Sequence, residues 1–131
     1  QLDINELIPD LNIPIGEETE RLPNIGIEKW SKLFNPRQLL TLVTYLEIIN
    51  EAKTKLHIEY EPEKVEAICT YLSLLLDRCI DKSSRLCCWD SSVAVAQKAS
   101  VQHSLNLMWN YPEFSGIVIW NWCNDVTSKY T

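Results

Sequence analysis

Glycine is scarce in this chain, which has only 3 glycines in 131 residues. A loop that cradles phosphate, such as GxGxxG or GxxxxGK[ST], needs closely spaced glycines, and neither pattern is present. The GxSxG turn of hydrolases and the zinc-binding HExxH helix are also absent. The sequence therefore predicts no catalytic residues, no cofactor site and no metal site within this chain.

Long apolar stretches are missing as well. No apolar run approaches the roughly 18 residues that a membrane-spanning helix requires. The first residues include Asp3, Glu6 and Asp10, which are unlike the basic start of a signal peptide. We therefore expect a cytoplasmic protein without a membrane partner.

The chain has five cysteines, an odd number, and no CxxC pair. Adjacent Cys87 and Cys88 cannot form a disulfide without severe strain, so reduced thiols are expected. A zinc site at this pair with a distant histidine, and a thiolate favoured by Arg85, are weaker alternatives. An enzyme in its own right would need His57 or His103 as its base at neutral pH.

Acidic residues outnumber basic ones, and the formal net charge is −6. This charge opposes the attraction to phosphate on which nucleic-acid binding usually depends. The chain also begins at Gln1 and contains only 1 methionine, Met108. We expect residues 1–131 to be a single domain excised from a longer protein.

Helix signals define the centre of the chain. Asn35, Pro36 and Gln38 have the spacing of a capping box with proline in the first turn, and they predict a helix over 36–56. Apolar residues at helical spacing predict a second, antiparallel helix over 62–82.

The flanking regions have weaker patterns. Residues 1–29 combine prolines and glycines with aperiodic apolar residues. They predict an extended arm across the core or, equally, a linker from an adjacent domain that is ordered only by docking. A third helix, continuous or broken, is predicted to start near Ser91 or Ser92 and to end at Pro112. The tail from Phe114 fits strand or helix, and the spacing of Asn121, Asn124 and Asp125 favours helix. Overall, the pattern predicts an all-α bundle of three to five helices over 30–131, with the extended arm at its N-terminus.

Two motifs resemble a domain found in large prokaryotic proteins described as predicted adenine-specific DNA methylases, often with a zinc ribbon. The first motif, Gly-Ile/Met-x-x-Trp-x-x-Leu-Phe-x-Pro-Arg-Gln-Leu-Leu, is matched by Gly26, Ile27, Trp30, Leu33, Phe34, Pro36, Arg37, Gln38, Leu39 and Leu40. The second, Ser-x-Leu-Cys-x-Trp-Asp, is matched by Ser84, Leu86, Cys87, Trp89 and Asp90, after an Asp-Arg pair at Asp77 and Arg78. A later tract at 108–113 is loosely similar.

The chain departs from the family pattern at two positions: Asn35 stands in place of threonine, and Cys88 in place of the commonest residue, arginine. The resemblance implies a parent that is a methyltransferase dependent on S-adenosylmethionine, with an Asp-Pro-Pro-Tyr motif that this chain lacks. It implies a non-catalytic accessory or target-recognition domain here. Its partners would be the remaining domains of the parent and DNA.

The candidate substrate or interdomain surface combines tryptophans with cations, because aromatic rings can stack on bases beside groups that contact phosphate. It comprises Trp30, Arg37, Arg78, Arg85, Trp89 and Asp90. The simpler interpretation is that the tryptophans bury apolar surface and that the cations suit a helix C-terminus. The alternative function is a structural interaction module that braces neighbouring domains without touching nucleic acid, which an exposed apolar patch near Trp120 and Trp122 would favour.

Overall fold

The structure, a computed structural model, describes residues 7–97, 99, 105 and 107–118. This part of the chain is mostly helical, as expected, but it also contains a small two-stranded antiparallel sheet that the sequence did not predict. The main elements are α1 (Arg21–Asn24), a 3-10 helix (Trp30–Leu33), α2 (Pro36–Glu59), α3 (Pro62–Lys82), β1 (Trp89–Asp90) and β2 (Val95–Ala96). Among the described residues, no helix has the length and apolar character needed to cross a membrane.

The predicted capping box starts α2. The Asn35 side chain accepts a hydrogen bond from the Gln38 backbone N–H at 2.8 Å, and the Gln38 side chain accepts one from the Asn35 N–H at 3.0 Å. These bonds satisfy backbone donors that have no partner within the helix. The helix ends at Glu59 rather than at residue 56, whereas α3 has the bounds that its periodicity predicted.

Helices α2 and α3 form an antiparallel hairpin. They are joined only by Tyr60 and Glu61, and Leu42 near the start of α2 packs with Cys79 near the end of α3. Val65 at the start of α3 is fully buried. A short connection between two long helices favours neighbouring, antiparallel packing.

The N-terminal arm doubles back on itself instead of remaining extended. The Ile13 N–H donates to the Glu28 carbonyl at 2.8 Å, and the Trp30 N–H donates to the Leu11 carbonyl at 3.1 Å. Between these contacts lies α1, whose Leu22 packs in a small core. The arm is thus a closed loop with apolar contacts of its own.

The 83–88 loop and residues 105, 107 and 108 are held against this arm. The Arg85 N–H donates to the Leu33 carbonyl at 2.8 Å, and the Arg85 carbonyl accepts from the Met108 N–H at 2.8 Å. Leu86, Leu105 and Leu107 pack against the apolar core of the arm. Segments far apart in sequence therefore meet at one end of the helical hairpin.

The prediction that a third helix starts near Ser91 or Ser92 was wrong. Residues 91–94 form the turn of a β-hairpin in which Trp89 pairs with Ala96. The Asp90 carboxylate accepts bonds from the Ser92 N–H at 3.0 Å and from the Ser92 hydroxyl at 2.6 Å. Such side-chain bonds offer the backbone an alternative to a helix.

The β-hairpin formed by β1 and β2 is also attached to the end of α3, because the buried Lys82 ammonium donates a hydrogen bond to the Ala96 carbonyl. Residues 107–112, where this helix was predicted to end, are not helical either, while residues 98, 100–104 and 106 lie outside the described residues. So do residues 119–131, which include most of the tail whose structure was left open.

Candidate nucleic-acid interface

Arg37 is exposed, but it has a partner within the chain. Its Nε and Nη2 donate to the two carboxylate oxygens of Glu113, the second at 2.9 Å, and Asn35 Nδ2 donates to Glu113 Oε2 at 3.0 Å. The hydrogen bond from Arg37 lowers the pKa of Glu113, and the same bond raises the pKa of Arg37. This predicted surface cation therefore joins the 111–118 segment to the start of α2.

Asp90 is explained by the β-hairpin. The hydrogen bonds from the Ser92 hydroxyl and backbone, followed by that from Gln97 Nε2 at 3.0 Å, lower the pKa of the Asp90 carboxyl. Its carboxylate oxygens therefore accept hydrogen bonds that stabilise the turn of the β-hairpin. Trp89 begins β1 and leaves part of its ring exposed, so it is available for contact but lies in a different element from the predicted cations.

Arg78 and Trp30 lie on different elements, α3 and the 3-10 helix. Arg78 is exposed on α3, and its side chain makes no hydrogen bond or ion pair with another described residue. Trp30 lines a mainly apolar groove of about 340 Å³ whose other walls include Phe34, Ile80 and Leu86. Arg78 is not among the described residues that line this groove.

Arg85 lines a different cleft, of about 360 Å³. The cleft is bordered by Arg21, Leu22, Ile25, Arg85, Leu105, Leu107, Met108, Trp109 and Tyr111. Among the described residues, its lining includes two arginines and no carboxylate, in a chain whose net charge is −6. Trp109 is 99% exposed, so its indole is open to a ligand.

The walls of this cleft are fixed by the fold. Leu22, on the arm side, is only 2% exposed, and α1 is closed by Gly26, whose φ of 79° suits glycine. On the opposite wall, Arg85 is bonded through both its backbone groups, and its Nη1 donates to the Lys32 carbonyl at 3.2 Å. The Tyr111 hydroxyl accepts from Asn35 Nδ2 at 3.3 Å.

Sequence reasoning identified Arg85 but did not identify Arg21, Trp109 or Tyr111 as site residues. Trp109 and Tyr111 lie in the tract that resembled the methylase family loosely, which was the available signal. Arg21 was assigned to an extended arm, and nothing in its local sequence indicated that the arm folds back towards Arg85.

The other candidate groups from the sequence are the metal ligands, the cysteines and the histidines. In the described part of the chain, no group of three or more His, Cys, Asp or Glu residues is placed to hold a metal ion. Burial raises the pKa of the Cys87 thiol, which favours the protonated form and not a reactive thiolate. His57 is exposed near the end of α2, and His103 lies outside the described residues.

Comparison with known proteins finds no similar family. No family model, curated protein or solved structure matches the chain. The resemblance to the methylase-associated domain therefore stays a prediction based on the motifs.

Proposed function

We propose that this chain is a non-catalytic accessory domain of an adenine-specific DNA methyltransferase and helps to hold the nucleic-acid target. The resemblance of the two motifs supports a parent protein that is a methyltransferase. This parent would bind S-adenosylmethionine through its other domains and act in the cytoplasm. The cleft that contains Arg21 and Arg85 is where this chain would contact the nucleic-acid target. The observation that carries the proposal is the combination of Arg21, Arg85 and Trp109 in a cleft with no carboxylate among its described lining residues.

The chemistry of the cleft suits a nucleic acid. The planar guanidinium group donates two parallel N–H hydrogen bonds to phosphate oxygens, and it remains charged at every physiological pH. An exposed indole offers a face for stacking on a base. The negative charge of the whole chain makes the affinity of the isolated domain modest, so the remaining domains of the parent would supply the rest of the binding.

The test is a titration of fluorescently labelled DNA with the full chain at several salt concentrations. Arg21→Ala removes a cleft cation, and Arg78→Ala is its matched control, because both side chains are exposed and neither has a hydrogen-bonded partner among the described residues. We expect Arg21→Ala to lower the slope of log K against log salt by about 1, whereas Arg78→Ala changes it little. An absence of binding by the wild type at low salt would refute the proposal, as would equal losses in the two variants.

A structural interaction module is the second candidate, and the α2–α3 hairpin favours it. Several large apolar side chains on the two helices are exposed, including Leu40, Ile48, Ile58, Tyr71 and Leu74. Helices with apolar residues beyond one stripe usually pack against a further partner. Trp120 and Trp122, which the sequence suggested for such a patch, lie outside the described residues.

In this second candidate the hairpin would pack against the remaining domains of the parent. Tyr71→Ser should then weaken association with those domains in a pull-down experiment, while Arg21→Ala should leave association unchanged. The opposite pattern would exclude the hairpin as the interface.

A further inference from the structure

We infer that the cleft between Arg21, Arg85 and Trp109 binds one unpaired nucleotide of a single-stranded nucleic acid. The inference rests on the proposed function, because it names the ligand of the same site. In this arrangement the base stacks on the Trp109 indole over the apolar floor of the cleft, and the flanking phosphates contact the two guanidinium groups.

The base position follows from the exposure of Trp109. Tryptophan is on average a well-buried residue, yet Trp109 is 99% exposed, and it lines the same cleft as Leu105 and Leu107. An aromatic face next to an apolar surface suits a nucleobase, because every base has a π-face that can stack on an aromatic ring. Such stacking depends little on the identity of the base. The site should therefore accept bases with little sequence preference.

The phosphate positions follow from the two arginines. Arg21 is exposed, and its side chain has no hydrogen-bonded partner among the described residues. Arg85 donates through Nη1 to the Lys32 carbonyl, which orients its guanidinium, and no other described residue accepts a hydrogen bond from its side chain. The remaining N–H groups of both residues are suited to phosphate oxygens.

The form of the cleft selects a single strand over a duplex. Its volume of about 360 Å³ is that of a small-molecule pocket and not of a groove that follows a double helix. A paired base in a duplex presents only its edge, because both of its faces are stacked on neighbouring bases. An indole at the rim of a pocket can therefore reach the face of an unpaired base only.

The experiment compares Trp109→Ala with the wild-type chain, and Trp89→Ala serves as a matched control because Trp89 is an exposed indole outside the cleft. Binding is measured by fluorescence anisotropy with a short single-stranded oligodeoxynucleotide, the same strand lacking its bases, the duplex, and an oligoribonucleotide of the same sequence. Thermal unfolding of each variant checks that it remains folded.

We expect Trp109→Ala to lower affinity for the single strand by about tenfold and Trp89→Ala to leave it unchanged. The strand without bases should bind more weakly and should not respond to Trp109→Ala, although it should still respond to Arg21→Ala. Comparison of the affinities for the oligoribonucleotide and for the oligodeoxynucleotide decides whether RNA or DNA is the better source of the unpaired nucleotide.

Three results would overturn the inference. One is unchanged single-strand affinity in Trp109→Ala, and another is a duplex that binds as tightly as the single strand. The third is competition by polyglutamate as effective as that by the oligonucleotide, which would indicate an acidic peptide site. Duplex binding that depends on Arg21 but not on Trp109 would refute only this inference, whereas an absence of binding to every nucleic acid would refute the proposed function as well.

Discussion

Asn35 has two structural tasks, and substitution to alanine removes both. Its side-chain oxygen caps α2 by accepting from the Gln38 N–H at 2.8 Å, while its Nδ2 donates to the Glu113 carboxylate at 3.0 Å and to the Tyr111 hydroxyl at 3.3 Å. The residue thus starts the longest helix and also holds the segment that follows the cleft. We expect Asn35→Ala to destabilise the chain measurably without altering its fold.

The magnitude follows from these contacts. Loss of an N-cap side chain costs about 1 kcal/mol on average, within a range of roughly 0.5–2 kcal/mol. Here Gln38 is only 2% exposed, so water replaces the lost acceptor poorly. A cost of about 1.5–2 kcal/mol is therefore expected, because an unsatisfied buried donor is more expensive than an exposed one. The bond to Glu113 lies at the surface and adds little.

The assay is thermal and urea-induced unfolding of Asn35→Ala beside Asn35→Ser. Serine is a good N-cap but lacks the amide donor, so it should retain most of the stability. For a chain of 131 residues, the expected loss in the alanine variant lowers Tm by about 5–8 °C. Equal stabilities of the alanine and serine variants would refute the capping argument, since the two differ chiefly in the cap.

Three further predictions concern other parts of the described fold. Leu22→Ala should cost about 2–4 kcal/mol in urea unfolding, because the side chain is almost fully buried in the core of the arm. Gly26→Ala should cost about 1–2 kcal/mol through its φ of 79°, whereas Gly16→Ala, as the control without a positive φ, should be nearly neutral in the same assay. The pKa of Glu113 is lowered in the folded state, so the contribution of its ion pair is present above the ordinary value of 4.5 and is lost as pH falls through the folded pKa. Arg37→Gln should therefore be less stable than wild type near neutral pH and equally stable in acid, and a difference that persists in acid would contradict this reasoning.

The sequence predicted the helical hairpin well because its signals are local. Asn35, Pro36 and Gln38 fix the start of α2 within four consecutive residues, and Pro62 fixes the start of α3. The apolar spacing that identifies each helix also lies within that helix. No long-range contact was needed to identify either element.

The β-hairpin could not be predicted in the same way. Its sequence, rich in valine and alanine, fits either a helix or a strand, and Asp90 could have capped a helix as easily as a turn. The structure favours the turn through the bonds from Ser92 and through the contact between the Lys82 ammonium and the Ala96 carbonyl. That second contact joins residues from different elements, so no local pattern reveals it.

The candidate site was predicted only in part for the same reason. The sequence drew attention to arginines that lie close to tryptophans along the chain. The cleft instead brings together Arg21, Arg85 and Trp109 from three separate segments. In the same way, Glu113, the partner of Arg37, lies 76 residues away from it in sequence.

The acidic charge of the chain and its cationic cleft are compatible because electrostatic interactions are local in salt. At physiological ionic strength the Debye length is about 8 Å, so distant carboxylates are largely screened from a ligand in the cleft. The ligand then experiences chiefly Arg21 and Arg85, together with the indole of Trp109. At low salt the screening length increases and the −6 charge of the whole chain opposes binding. The salt dependence should therefore be shallower than that of a basic DNA-binding protein, and the stacking contact should account for most of the affinity that survives at physiological salt.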